Sequence, residues 1–271
     1  MNAAKYQNLH KSLIAGWTLG ARSVNIQVKE HMLGYAWNFI IPVIYAICYV
    51  YVRQAVLGNR SIVEPADWWD IIRVFSGLTL FQAWYQCLQD MSAFISKNRG
   101  MLRGMNVGVS PFIIAVALEA SLSFVIRFIT IITAILVLGV DLSLSSSEWM
   151  WVIGCLFALI LSSIAMGMLL SPWAVLFADV RKALQSLSLP LVLITPIFYP
   201  AVVDPAYSIY WIEIANPLAS PLIVLQHTLS GEGPVFANVM VSWVLLSIFI
   251  IWMSAIHIQK QVPILLERMG N

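Results

Sequence analysis

Apolar residues run continuously, not alternately, through much of 37–258, in stretches separated by short charged connectors. Six stretches stand out: 37–52, 71–91, 112–140, 149–170, 184–203 and 239–258. A membrane-crossing helix takes about 20 mostly apolar residues, and lipid accepts only helices or closed barrels. Unbroken runs lack the two-residue period of barrel strands. The pattern therefore predicts an all-α integral membrane fold with six transmembrane helices. The first stretch is short unless tilted, and the third is long enough to tilt or to continue past the bilayer.

The connectors set the orientation. Lys5, Lys11, Arg22 and Lys29 precede the first stretch; Lys97, Arg99 and Arg103 follow the second; Arg181 and Lys182 precede the fifth; Lys260 and Arg268 follow the sixth. The alternate connectors carry Glu64, Asp67, Asp70, Asp141, Glu148, Asp204, Glu213 and Glu232, with only Arg53, Arg60 and Arg73 against them. The positive-inside rule then predicts that both termini are cytoplasmic. Residues 15–33 carry Trp17, Val24, Val28 and Met32 near one face and Arg22, Lys29 and Glu30 largely away from it, which predicts an N-terminal amphipathic interfacial helix. The connector 204–238 holds two apolar stretches too short to span, parted by Asn216-Pro217. They predict short re-entrant helices between spans five and six, because a residue before proline is pushed out of helical geometry. The chain reads as one transmembrane domain over 1–271: an N-terminal segment 1–36, the bundle 37–258 and a tail 259–271.

Composition sharpens this picture. The chain is 60% hydrophobic and 10% charged, with a mean hydropathy of +0.84; a soluble domain carries about 25% charged residues. Cys48, Cys87 and Cys155 all fall in apolar runs and read as small core residues. No G-x-x-x-x-G-K-[ST], H-E-x-x-H or G-x-S-x-G motif is present, and His10, His31, His227 and His257 lack ligand spacing. Neither a metal, nor a cofactor, nor a catalytic residue set is expected on this chain.

Polar residues inside spans are functional suspects. Glu119 and Arg127 share the third stretch, but stand about 12 Å apart along a helix and do not pair directly. Arg127 serves either a structural or a substrate role. Gln82, Gln86 and Gln89 form an amide stripe beside Asp90, which either bonds a neighbouring helix or lines a wet passage. Asn38, Pro42, Tyr45 and Tyr49 on the first span, and Gln185, Ser188, Thr195 and Tyr199 on the fifth, repeat at helical spacing. Hydroxyls, amides and tyrosine rings together suit a conduit for sugars, whose apolar faces pack on aromatic rings. Asn38, Tyr45, Tyr49, Gln82, Gln86, Gln185, Ser188, Thr195 and Tyr199 are the candidate substrate path. Ser163, Gly167 and Ser171 form a small-residue row that predicts close approach of another helix.

The chain also resembles a known family in several motifs. Leu33-Gly34-Tyr35-Ala36-Trp37 with Pro42, Phe177-Ala178-Asp179-Val180-Arg181, Pro196-Ile197-Phe198-Tyr199 and Asn216-Pro217 follow in the order and spacing of membrane subunits of bacterial ABC exporters for O-antigen, capsule and teichoic acid. Gln226-His227 stands where that family often has a basic residue. The resemblance implies a permease in a homodimer around a central pathway, with two copies of a separate ATP-binding subunit below. ATP and Mg would belong to that partner. It also implies an undecaprenyl-diphosphate-linked polysaccharide cargo and a bacterial inner membrane location. Within that frame Lys29, Arg99 and Arg103 form a cytoplasmic mouth for the diphosphate. Lys97, Arg99, Arg103, Asp179 and Arg181 receive the ATPase, with 92–110 as the coupling loop. Alternatives are a permease of the same fold for drugs or other lipids, and a membrane enzyme acting on lipid-linked sugars. A nucleic acid partner is not expected.

Overall fold

The computed structural model describes residues 14–22, 65–104, 108–140 and 144–268, together with 37, 40–45, 47, 48, 51 and 142. Every regular element among them is α-helical. In chain order these are α1 (14–22), α2 (40–45), α3 (Pro65–Lys97), α4 (Arg99–Gly104), α5 (Ser110–Val137), α6 (Ser146–Leu176), α7 (Ala178–Ser186), α8 (Ser188–Ile194), α9 (Ser208–Ala215), α10 (Ala219–Leu229) and α11 (Ala237–Arg268). Among the described residues α5, α6 and Ala237–Leu265 are long and apolar enough to cross a membrane. The α9–α10 pair passes the same test only as a unit, bent by 102°.

Local sequence explains where these helices start and stop. α6 opens with a capping box, in which Ser145 and Glu148 satisfy each other's backbone N–H groups. Pro111 sits in the first turn of α5, where its missing N–H costs nothing. Between α9 and α10 the backbone at Asn216 is extended, and its Oδ1 accepts the Leu218 N–H at 3.1 Å.

The fifth predicted span, 184–203, needs correction. Helix begins earlier, at Ala178, breaks at Leu187 and ends at Ile194. Pro190 cannot donate to the Ser186 carbonyl, so it takes a first-turn position in a new helix, α8. Pro196 forces Thr195 into an extended conformation (φ −79°, ψ 138°), which stops α8. The apolar sequence continues to Val203, but without helix.

α6 is the hub. α3, α10 and α11 pack against it, and α5 packs mainly on α3. Between helices in lipid there is no hydrophobic drive, so close fit and interhelical hydrogen bonds hold the bundle. The predicted small row supplies that fit, and its partner is α3. A Cβ on Gly167 would stand 2.6 Å from Met91 Cβ and 2.9 Å from the Leu88 carbonyl oxygen. Ser163 and Ser171 on the same row are fully buried. Trp84 Nε1 donates to Ser162 Oγ across the seam at 2.9 Å. α1 uses the same device on α5: a Cβ on Gly16 would meet Ile114 Cγ2 at 2.7 Å, while Trp17 stays exposed.

Charge divides the bundle into two ends. One gathers α1, α4, the start of α5, α7 and the last turn of α3, with Lys97, Arg99, Arg103, Arg181 and Lys182. The other gathers the start of α3, the α9–α10 pair and the starts of α6 and α11, with Asp70, Glu148, Asp204, Glu213 and Glu232.

Candidate functional site

At the basic end, α7 is amphipathic, and Asp179 in its first turn suits the positive end of the helix dipole. Arg181 and Gln185, one turn apart, share a face. That face and the last turns of α3 line an open cavity of about 190 Å³, with Gln89, Asp90, Ser92, Lys97, Arg181 and Gln185 in its wall. Lys97 Nζ lies 2.6 Å from Asp90 Oδ1. The lysine is largely exposed, so solvent screens this pair and it holds the fold by about 0–1 kcal/mol. Arg181 is exposed and has no ion partner among the described residues. The wall thus joins one compensated cation and one uncompensated cation with two amides, an arrangement that attracts an anion. Arg99, half-buried, and Arg103, exposed, stand one turn apart on α4. Asp179 is exposed and takes no part in the cavity wall.

Deeper in the bundle the amide stripe meets Arg127. Its guanidinium, 3% exposed, donates to the Thr79 carbonyl at 3.0 Å, Gln82 Oε1 at 3.3 Å and Gln86 Oε1 at 3.2 Å. Of the two roles open from the sequence, helix-to-helix bonding describes Gln82 and Gln86 as they stand. A guanidinium suits the task because its fixed fork serves several acceptors at once. The clasp ties α5 to α3.

On the fifth apolar stretch the hydroxyls are also engaged. Ser188 Oγ donates to the Gln185 carbonyl at 2.9 Å, and the Tyr199 hydroxyl to the Ile194 carbonyl at 2.5 Å. Thr195, fully buried, donates to the Leu191 carbonyl and accepts Asn216 Nδ2 at 3.0 Å. Thr195 and Asn216 thereby latch the end of α8 to the bent pair. The buried Glu213 adds a second tie, its Oε2 accepting the Val202 N–H at 3.2 Å. Tyr45 is half exposed on α2. Asn38, Tyr49 and Lys29 lie outside the described residues.

The structure therefore brings Lys97, Arg181 and Gln185 together and places Arg99 and Arg103 on the adjoining helix. Sequence reading missed Asp90 as the partner of Lys97. The signal was available, since seven residues is two turns on one helix face. It also missed the side-chain partners of Asn216 and Glu213, which lie across a turn.

None of the curated proteins compared with this chain matches it. The sequence model of the ABC-2 type transporter family matches residues 15–230, more than half of the chain and nearly every element above. The chain belongs to the ABC-2 type transporter family, and is a multi-pass membrane permease component of an ABC transporter.

Proposed function

We propose that this permease exports an undecaprenyl-diphosphate-linked polysaccharide across a bacterial inner membrane, working as a homodimer with two copies of a separate ATP-binding subunit. In this reading six spans place both termini and the basic end in the cytoplasm, by the positive-inside rule. The observation that carries the proposal is the α7–α8 pair. Its basic first helix lies beside the cation-lined cavity, and none of the residues of α8 is buried by the rest of the chain. A helix this apolar and this uncovered, starting at a charged mouth, is built to face something outside its own chain.

A second copy across α8 and the Tyr45 face would enclose a pathway between them, with tyrosine rings and amides suited to sugars. Arg99, Arg103, Arg181 and Lys29 would draw the diphosphate to its inner opening. α4, held on α3 and α11, would take the push of the ATPase and pass it to the long helices.

The test is co-reconstitution of this chain with its ATPase partner in proteoliposomes carrying a labelled lipid-linked glycan. The expected result is ATP-dependent transfer of the glycan, reduced about ten-fold or more in an Arg99→Ala, Arg103→Ala variant, as for loss of two charges at an anionic surface. Transfer of a fluorescent drug or of a plain phospholipid with no glycan transfer would favour the other cargoes. Turnover with no ATPase present would overturn the permease reading.

A further inference from the structure

We propose that the acidic end of the bundle holds a binding subsite for a single neutral sugar unit, in the cavity between the first turns of α3 and the end of α10. This rests on the glycan reading of the cargo and gives that cargo a place on the exit side.

The cavity measures about 360 Å³, within the 300–1,000 Å³ range of small-molecule sites. Trp69, Asp70 and Arg73 line it from α3, and Gln226, His227 and Glu232 from α10 and the turn after it. Its charged groups stand close to one another within the wall and leave no surplus of cations. Arg73 lies 2.8 Å from Asp70, and His227 Nδ1 lies 2.7 Å from Glu232 Oε2. A phosphate or carboxylate ligand would find no excess of positive charge here, unlike at the basic end.

Hydrogen-bonding capacity is nevertheless left over. Arg73 Nε is buried and has no hydrogen-bond partner among the described residues. Gln226 uses its Nε2 on the Arg73 carbonyl at 3.2 Å, and its Oε1 has no hydrogen-bond partner among the described residues. A wall that offers both a donor and an acceptor suits hydroxyl groups, which both give and take hydrogen bonds. The half-buried indole of Trp69 offers an apolar surface for the C–H face of a pyranose ring. The two walls are separated by some 150 positions in the chain, and Gln226 bridges them. The subsite therefore exists only while α10 is seated on α3.

The experiment uses the full chain in lipid nanodiscs and saturation-transfer NMR with methyl glycosides of glucose, galactose, mannose and N-acetylglucosamine. Inorganic phosphate, followed by ³¹P line width, is the counter-probe. At least one glycoside is expected to show transfer, falling about five-fold in Trp69→Ala, as for loss of one aromatic contact of about 1 kcal/mol. Glu232→Gln, at a largely exposed carboxylate, leaves folding intact and is expected to weaken transfer more modestly. Transfer to no glycoside, transfer unchanged in both variants, or broadening by phosphate alone would overturn the subsite. A companion export assay separates the two ideas. Glycan export that depends on this chain but ignores both substitutions removes the subsite alone, whereas absence of glycan export removes the cargo reading itself. Displacement of the bound glycoside by the purified lipid-linked glycan is expected, and failure of the glycan to compete would overturn the subsite as a place on the cargo's path.

Discussion

α6 and α8 are both apolar helices of one chain, and they are used in opposite ways. α6 buries Ser162, Ser163, Ala165, Gly167, Met168 and Ser171 in a continuous face against its neighbours, close enough for backbone to approach backbone. α8 buries no residue, and Leu189 and Leu193 stand 68% and 58% exposed. Hydropathy does not distinguish them; side-chain size does. Small residues let α6 bring α3 close, whereas leucines and a proline on α8 leave a bulky, uncommitted surface. The closest packing lies in the α3–α6 seam, and the uncommitted surface is where a second chain or a cargo has room to act.

The largest expected effect comes from filling the gap that makes α6 a hub. Gly167→Leu must displace Met91 and the Leu88 carbonyl, which belongs to the backbone of α3 and cannot rotate away. Overpacking of this kind costs about 1–3 kcal/mol or more, and here it pries apart the main seam. Loss of a monodisperse protein on size exclusion, with a sharply lower melting temperature, is expected. Gly154→Leu is the control, since a Cβ there meets nothing closer than 3.9 Å and should leave melting nearly unchanged. Equal behaviour of the two variants would break the contrast between a packed and an unpacked helix face.

Next is Arg127→Met. It keeps the length of the side chain but strips the donors from Gln82, Gln86 and the Thr79 carbonyl. Interhelical hydrogen bonds inside membrane bundles contribute about 0.6–2 kcal/mol each, so a loss of about 1–3 kcal/mol is expected by unfolding in mixed micelles. Arg127→Met, Gln82→Leu, Gln86→Met should recover part of it, because it removes two of the orphaned acceptors together with the donor. A stable single variant that abolishes transport would instead assign Arg127 to the cargo.

Much of this division was legible in the sequence, for identifiable reasons. The runs at 112–140, 149–170 and 239–258 appear as α5, α6 and α11, because nothing inside them competes with helix, although α6 and α11 continue to Leu176 and Arg268, well past the apolar runs. The row Ser163, Gly167, Ser171 announced a close approach, though not that α3 would fill it. Pro190 and Pro196 stand in the fifth stretch, but whether a proline bends or ends a helix depends on which carbonyl it deprives. The pairing of Arg127 with the glutamine stripe was hidden, since periodicity fixes a face and not the helix opposite. The cavity at the acidic end was hidden more completely, being assembled from Trp69–Arg73 and Gln226–Glu232 with no local pattern joining them.

The smallest effect on the fold is expected where the proposed function is most exposed. Leu189→Ala with Leu193→Ala removes apolar bulk that the chain leaves mostly exposed, so the melting temperature of the isolated chain should move little, equivalent to under about 0.5 kcal/mol. Association should respond if a second copy covers this face. In a Cys48→Ser background, which removes the exposed native thiol, Leu193→Cys should cross-link chain to chain with a short bifunctional thiol reagent. The same reagent should give little product with Leu245→Cys on α11, which is equally exposed but lies on a different helix. A large drop in melting for the alanine pair would mean that α8 is packed within its own chain. Cross-linking at Leu245 in place of Leu193 would move the dimer interface to α11, and with it the walls of the proposed pathway.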